Sequence, residues 1–250
     1  MSTPGFPIPI LSINDPLPQP ATALGSHTEW PGLVAAGVDL SANRLIEAFR
    51  MGIFPWYHQD QMVLWWSTDP RMVLLPNNFK LHRSFRKALA KALKSEQLEI
   101  RIDHDFEQLV KLCAVQKRPG QNGTWIHPEM VAAYSELHQR GHAHSVETWI
   151  NGKLVGGLYC VSIGHAIFGE SMFTLEPNAS KFALAALVSF CLFHGIWAID
   201  CQQQTKHLAS LGAVPIDRLH FLNGLQSVID KPAPKWEFLP VYWNQILTTQ

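Results

Sequence analysis

The run Ile167-Phe168-Gly169-Glu170-Ser171-Met172-Phe173, followed after a short turn by Asn178-Ala179-Ser180-Lys181, sets the terms for reading the rest of the chain. It alternates as a strand does, yet it carries a carboxylate, Glu170, in apolar company. An ionised carboxylate is rarely buried without a partner, so this position must use or neutralise its charge. Toward the C-terminus, Phe182 to Ile199 is nearly all apolar, interrupted by Ser189, His194 and Gly195 and bounded by Lys181 and Asp200. Gly195 stops a helix there, and Ile196 to Cys201 reads as a buried strand. A helix over 179–194 is roughly 24 Å long, short of the ~30 Å of a bilayer core, so a soluble chain is expected. The strand ends Ile199-Asp200-Cys201-Gln202. In extended backbone Asp200 and Gln202 share one face and Cys201 takes the other, which makes Cys201 a small core residue. Two apolar strands presenting polar groups near their ends describe a pocket with an apolar wall and a few placed polar atoms.

Upstream, His144 to Ile150 meets Lys153 to Val161 through Asn151-Gly152, a two-residue hairpin signal, and His165 to Thr174 continues the meander. Antiparallel strands, then a helix, then a strand predict an α/β (α+β) domain with a mixed sheet. Helices are expected over 81–93, 105–113 and 127–141. Further upstream, Ser41 caps a helix over 42–51, and Pro55 ends any helical run after Gly52. Val63 to Trp66 and Met72 to Leu75 read as strands around the Asp69-Pro70 turn. A division near Pro76-Asn77 gives an N-terminal domain over 1–76, with an extended proline-rich arm over 1–28, and a second domain over 77–250.

With 47% apolar and 16% charged residues the chain supports a substantial core and is not disordered. Its formal net charge is zero, so any nucleic-acid surface must be a local patch. The first twenty residues hold six prolines and no Lys or Arg, which fits neither a signal peptide nor a helix. Cys113, Cys160, Cys191 and Cys201 show no paired spacing and read as reduced thiols of a cytoplasmic protein.

From Lys80 to Lys94 lie Lys80, Arg83, Arg86, Lys87, Lys91 and Lys94 with no acid between them. Most charge runs are solvated faces. Six cations without an acid, in a chain of zero net charge, point instead to a phosphate-contacting helix face. Trp56, Tyr57, Trp65 and Trp66 cluster beside Phe54, and core packing accounts for most of them. Trp56, after a proline in a turn, is the member expected to be exposed for stacking on a base. The His142-x-His144 pair lacks the further ligands of a metal site. His207 has no nucleophile beside it, and no Ser-His-Asp spacing, P-loop or dinucleotide fingerprint occurs.

The order of local motifs resembles the bacterial leucyl/phenylalanyl-tRNA–protein transferases: GIFPWY (52–57), LWWSTDPR (64–71), GTWI (123–126), GHAHSVE (141–147), LVGGLY (154–159), FGESMF (168–173), NASK (178–181), DCQ (200–202) and HLASLGA (207–213). They run through residues 30 to 220. Thr68 stands where the family usually has proline, and Cys160 where it has glycine. The resemblance implies a small N-terminal α/β domain before a GNAT-like acyltransferase domain with a mostly antiparallel mixed sheet. It implies transfer of Leu, Phe and, less readily, Met from aminoacyl-tRNA to proteins beginning with Arg or Lys, marking them for degradation. It assigns catalysis to Asp200, Gln202 and Glu170, with Glu170 serving the cationic acceptor. It assigns the aminoacyl pocket to Leu158, Ile167, Phe168, Gly169, Met172 and Ile199, and the terminal adenosine to Trp56 and Trp125. The tRNA-binding residues would be Arg83, Arg86, Lys87, Lys91 and Lys94. No metal or nucleotide cofactor and no membrane partner is implied. The residue types suit the chemistry, because an aminoacyl ester is already activated and needs chiefly a delivered amine. In this reading Asp200 is the electrostatic driver and Gln202 an orienting group. Two other classes remain: an acyl-CoA N-acyltransferase, for which the Gln/Arg-x-x-Gly-x-Gly/Ala loop is absent, and a tRNA-binding module without catalysis.

Overall fold

The computed structural model describes residues 8–59, 61–116 and 124–247. A small sheet comes first. β1 (Ile10–Leu11) pairs in parallel with β2 (Leu33–Gly37), which is followed by α1 (Ala42–Arg50), β3 (Phe54–Pro55) and β4 (Val63–Trp66), in spatial order β1-β2-β4-β3. Ser41 caps α1 by accepting from the Arg44 N–H, as its position predicts. Arg44 is itself buried and ties the described part of the expected arm down through the carbonyls of Ile13 and Asp15.

The chain then enters a seven-stranded sheet. Its elements are β5 (Arg71–Leu74), α2 (Arg83–Lys94), β6 (Leu98–Ile102), α3 (Phe106–Val115), α4 (Pro128–Gln139), β7 (Ala143–Ile150), β8 (Lys153–Ile163), β9 (Ala166–Thr174), α5 (Ala179–His194), β10 (Ile199–Gln202), α6 (Lys206–Ser210), β11 (Val214–Ile216), α7 (Arg218–Val228) and α8 (Asn244–Leu247). The spatial order is β11-β5-β10-β9-β8-β7-β6. All neighbours are antiparallel except β9 and β10. The mixed α+β sheet therefore stands as expected. The two strands expected around Asp69-Pro70 lie in different sheets: β4 in the small one, β5 between β10 and β11 of the large one. The crossing from one sheet to the other thus falls between Trp66 and Arg71, ahead of the division expected at Pro76. β6 carried no strand expectation. It is an edge strand of mixed polarity, Leu-Glu-Ile-Arg-Ile, that exists by pairing with β7.

The hairpin of β7 and β8 turns at Asn151-Gly152, with φ of 51° and 72°, as a two-residue turn of that hand requires. α5 lies against β8 at very short range, and a Cβ on Gly156 would come within 2.5 Å of the Ala179 Cβ. That approach seats α5 across one face of the sheet. With α2 and the C-terminal turns it buries Leu158, Ile167, Leu184, Leu187 and Ile199. The opposite face carries α1, α3, α4 and α7 and buries Phe49, Tyr134, Tyr159, Phe168 and Phe221. Each strand thus feeds two cores by alternation, which is how a sheet covered on both faces is built. Among the described residues no helix is long and apolar enough to cross a membrane.

Candidate active site

β9 and β10 pair for two residues only, Ile167 with Ile199 and Phe168 with Asp200. Beyond that point each strand carries one residue too many for its other neighbour. On β9, Gly169 faces Cys160 and Ser171 faces Tyr159, so Glu170 is the extra residue. On β10, Asp200 faces Val73 and Gln202 faces Met72, so Cys201 is the extra residue. A bulge bends its strand and re-aims side chains. Two bulges at the same level, on the one parallel pair of the large sheet among the described residues, open that sheet into a fork.

The polar groups gather at that opening. Gln202 holds a left-handed backbone, φ 55°, a conformation that costs a non-glycine residue on the order of 1–3 kcal/mol unless its surroundings impose it. Here they do. Its N–H donates to Asp200 Oδ1 at 2.9 Å, its carbonyl accepts from Thr68 Oγ1 at 3.0 Å, and its Nε2 donates to Glu170 Oε1 at 3.2 Å. The carboxamide and the Glu170 carboxyl therefore face each other across the fork. Tyr134 from α4 donates its hydroxyl to Glu170 Oε2 at 2.8 Å.

Asp200 is 2% exposed and meets Arg71, fully buried, in a two-point contact: Nε to Oδ1 at 2.8 Å and Nη2 to Oδ2 at 2.6 Å. The Arg71 guanidinium is sandwiched between the rings of Phe54 and Phe221, 4.7 and 4.6 Å from their centroids. With Gln202 N–H also on Oδ1, Asp200 has both oxygens engaged by protein. Glu170 differs. It is half-open at the surface yet crowded by protein, and desolvation pushes its pKa up to about 8 against the pull of the Tyr134 hydrogen bond, with the Asp200 charge adding to the rise. Burial also raises Cys201 to about 12, so its thiol is no thiolate nucleophile at neutral pH.

The expected catalytic trio of Asp200, Gln202 and Glu170 is thus brought together. The expected aminoacyl residues divide. Leu158, Ile167 and Ile199 line the α5 face, with half-buried Met172 packed against them, and Gly169 leaves the crotch of the fork without a side chain. Phe168 turns to the other face, 4.9 Å from the Phe49 ring. The space beside it and Asp200, which Ile167 also lines, amounts to about 10 Å³, scarcely one water. Strand alternation sets Phe168 on that face, since neighbours on β9 cannot share a face outside a bulge. Trp56 and Trp125 are half-buried on the small-sheet side, whereas Phe54, Tyr57, Trp65 and Trp66 are buried, as the core reading has it. Trp56 lies edge-on to Trp66 at 5.9 Å. On α2, Arg83, Lys87, Lys91 and Lys94 are exposed, while Arg86 is half-buried and donates to the Leu247 carbonyl at 3.3 Å.

Sequence reasoning passed over Arg71, Tyr134 and Thr68. Arg71 had a signal: an arginine opening the apolar strand Arg-Met-Val-Leu needs a buried partner. Tyr134 and Thr68 had none. His144, weighed as one of a metal pair, instead bonds Asp103 at 2.7 Å and stacks on Trp236. No group of three or more metal-ligating side chains occurs among the described residues.

A forked mixed sheet sets a carboxyl and a carboxamide across its opening, with no thiolate beside them among the described residues, an arrangement able to take a proton from an attacking substrate. Comparison with known proteins narrows the class. Residues 73–226 match the model of the leucyl/phenylalanyl-tRNA protein transferase family, and residues 38–69 that of its N-terminal domain. A leucyl/phenylalanyl-tRNA–protein transferase of Polaromonas sp. is 56% identical over 98% of this chain and 96% of its own. Those of Albidiferax ferrireducens, 51% over 100% and 98%, and Leptothrix cholodnii, 53% over 96% and 94%, are similar. A solved C-terminal domain from Agrobacterium fabrum aligns at 11% identity and a TM-score of 0.34, over 82% of this chain and 65% of that one, and carries no argument. The chain belongs to the leucyl/phenylalanyl-tRNA–protein transferase family and is an aminoacyltransferase.

Proposed function

We propose that this enzyme transfers Leu, Phe and, less readily, Met from aminoacyl-tRNA to the N-terminal α-amine of proteins beginning with Arg or Lys, and that Glu170 handles the amine's proton. The observation that carries the second part is the contrast between the two carboxyls: Asp200 is saturated by Arg71 and Gln202, while Glu170 stands at the fork with its pKa raised. An N-terminal α-amine has a pKa near 7.7–8.0, so a carboxyl near 8 exchanges a proton with it at almost no cost. A cationic acceptor is drawn to the ionised form of the same group. The amine nitrogen attacks the ester carbonyl carbon, the ester C–O bond breaks with its electron pair on the ribose oxygen, and the amine proton passes through Glu170 to that oxygen. Asp200 is then a positioning residue that, with Arg71, holds the Gln202 turn. The amide of Gln202 orients Glu170.

The apolar residues on the α5 face receive the aminoacyl side chain through the crotch at Gly169. Trp56 and Trp125 offer ring faces to the terminal adenosine, and the exposed cations of α2 meet the tRNA backbone. Incubation with labelled Leu-tRNA and matched proteins beginning with Lys, Arg or Glu tests the reading. Label should enter the first two only. Equal labelling of the Glu-initiated protein rejects the acceptor assignment, and labelling from acetyl-CoA in its place rejects the donor.

A further inference from the structure

A second cavity lies apart from the fork. It is a cleft of about 200 Å³ lined by Lys80, His82, Ser84, Phe85, Asn178, Lys181 and Leu211. No carboxylate lines it, and its two lysines come from segments a hundred residues apart, so their convergence is a product of the fold. Neither Lys80 nor Lys181 forms an ion pair among the described residues. Like charges brought together without a counter-charge repel, and a fold tolerates that readily where an anion completes the set. His207, exposed at the surface, has its pKa held below the ordinary value by the protein packed around it first and by the Lys181 charge second, a sign that the positive field reaches beyond the cleft.

The backbone adds to that field. α2 and α5 both begin at this cleft, and neither His82 nor Asn178 caps its helix with a side-chain bond. The N–H of Ala179 is taken by the Glu176 carbonyl at 3.1 Å, while the remaining first-turn N–H groups of the two helices, 12 and 16 residues long, have no side-chain cap. The position fits the donor. β9 runs from Glu170 to Thr174, a rise of about 13 Å, and the Asn178 turn follows at once. β10 leaves the fork on the same side through α6 to Leu211. The cleft thus sits a strand's end from the reacting groups.

We propose that this cleft is a phosphodiester subsite that grips the acceptor strand of the donor tRNA one or a few nucleotides before the aminoacylated end, through Lys80, Lys181 and Ser84, with the helix ends at His82 and Asn178 adding to the field. The proposal rests on the donor being aminoacyl-tRNA, and it is separate from the exposed cations of α2. Gripping the strand here, close to the fork, fixes the ester's approach in a way that contacts on the body of the tRNA cannot.

The test compares two donors. Lys80→Ala with Lys181→Ala should raise KM for Leu-tRNA roughly tenfold, and the salt dependence of log KM should flatten by about 0.7 for each lysine removed. Transfer from leucyl-adenosine, which has no phosphodiester, should match wild type, and Lys181→Arg should behave as wild type with both donors. Thermal melting should not change, because Lys80 is exposed and Lys181 half-exposed. Unchanged KM and salt slope for tRNA overturn the proposal. Equal losses with both donors overturn it as well, because the lysines would then act on the reacting groups. Inorganic phosphate titrated against wild type and variant separates the sources: loss of phosphate binding with intact tRNA kinetics makes this a free-anion site and not a tRNA subsite. If wild type uses neither donor, the functional reading fails, whatever the lysines do.

Discussion

Two protons must be gone before the amine can attack with Glu170 as base: the one on the acceptor's α-ammonium and the one on Glu170. Desolvation, with the nearby Asp200 charge, places the second near pH 8, so at pH 7 roughly one Glu170 in ten is ionised. The α-amine, at about 7.7–8.0, is neutral to a similar extent. Below pH 7 a plot of log kcat/KM against pH should therefore climb with a slope approaching two, and it should level above pH 8.5. Glu170→Gln keeps the size and the hydrogen bonds to Tyr134 and Gln202 within reach but removes the proton acceptor. Its plot should climb with a slope of one, from the acceptor alone. Its plateau should be lower by about 10²-fold or more, the range for loss of a general base. Single-turnover transfer from leucyl-adenosine to an Arg-initiated peptide, followed between pH 6 and 9, reads chemistry without tRNA binding. A slope of one in wild type, or equal plateaus in the two proteins, refutes the role given to Glu170. A raised KM at unchanged kcat would show that Glu170 only binds the cation.

The Arg71–Asp200 pair should behave as an interdependent unit. Arg71→Met leaves Asp200 buried without its cation and should cost about 3–5 kcal/mol of stability by urea unfolding, with loss of activity. Adding Asp200→Leu should recover much of the stability and none of the transfer. Because the folded Glu170 pKa lies above its unfolded value, wild-type stability should fall as pH rises from about 4.5 to 8, and Glu170→Gln should show a shallower fall in denaturation midpoint. Charge reversal of Arg83, Lys87 and Lys91 to Glu should weaken Leu-tRNA binding and flatten its salt dependence, leaving leucyl-adenosine use unchanged. Equal loss with both donors would mark α2 as structural. Met172→Ala should lower transfer of Leu more than of Phe, since the larger ring fills part of the void; an unchanged ratio in a competition assay would remove Met172 from the pocket.

Much of the large sheet was legible because its signals are local. Asn151-Gly152 specifies its hairpin through backbone conformation alone, Gly195 ends α5, with a left-handed backbone at φ 64°, and alternation declares the strands on either side. The polar residues at 170, 200 and 202 stood out for an equally local reason, since each interrupts or closes an apolar run. The face on which a residue lies is less secure. Phe168 belongs beside Ile167 in the sequence and across the sheet from it in space, because a strand turns its neighbours to opposite sides. What the chain alone determined is therefore the list of groups that needed partners. Their pairing is tertiary. Arg71 and Asp200 lie 129 residues apart and meet only because β5 and β10 are neighbours; Tyr134 reaches Glu170 only because α4 packs on that face. The division of labour between two carboxylates follows from that pairing. Hydrogen bonding and a counter-ion occupy one, while desolvation lifts the other, and both depend on distance in space, which no spacing along the chain records.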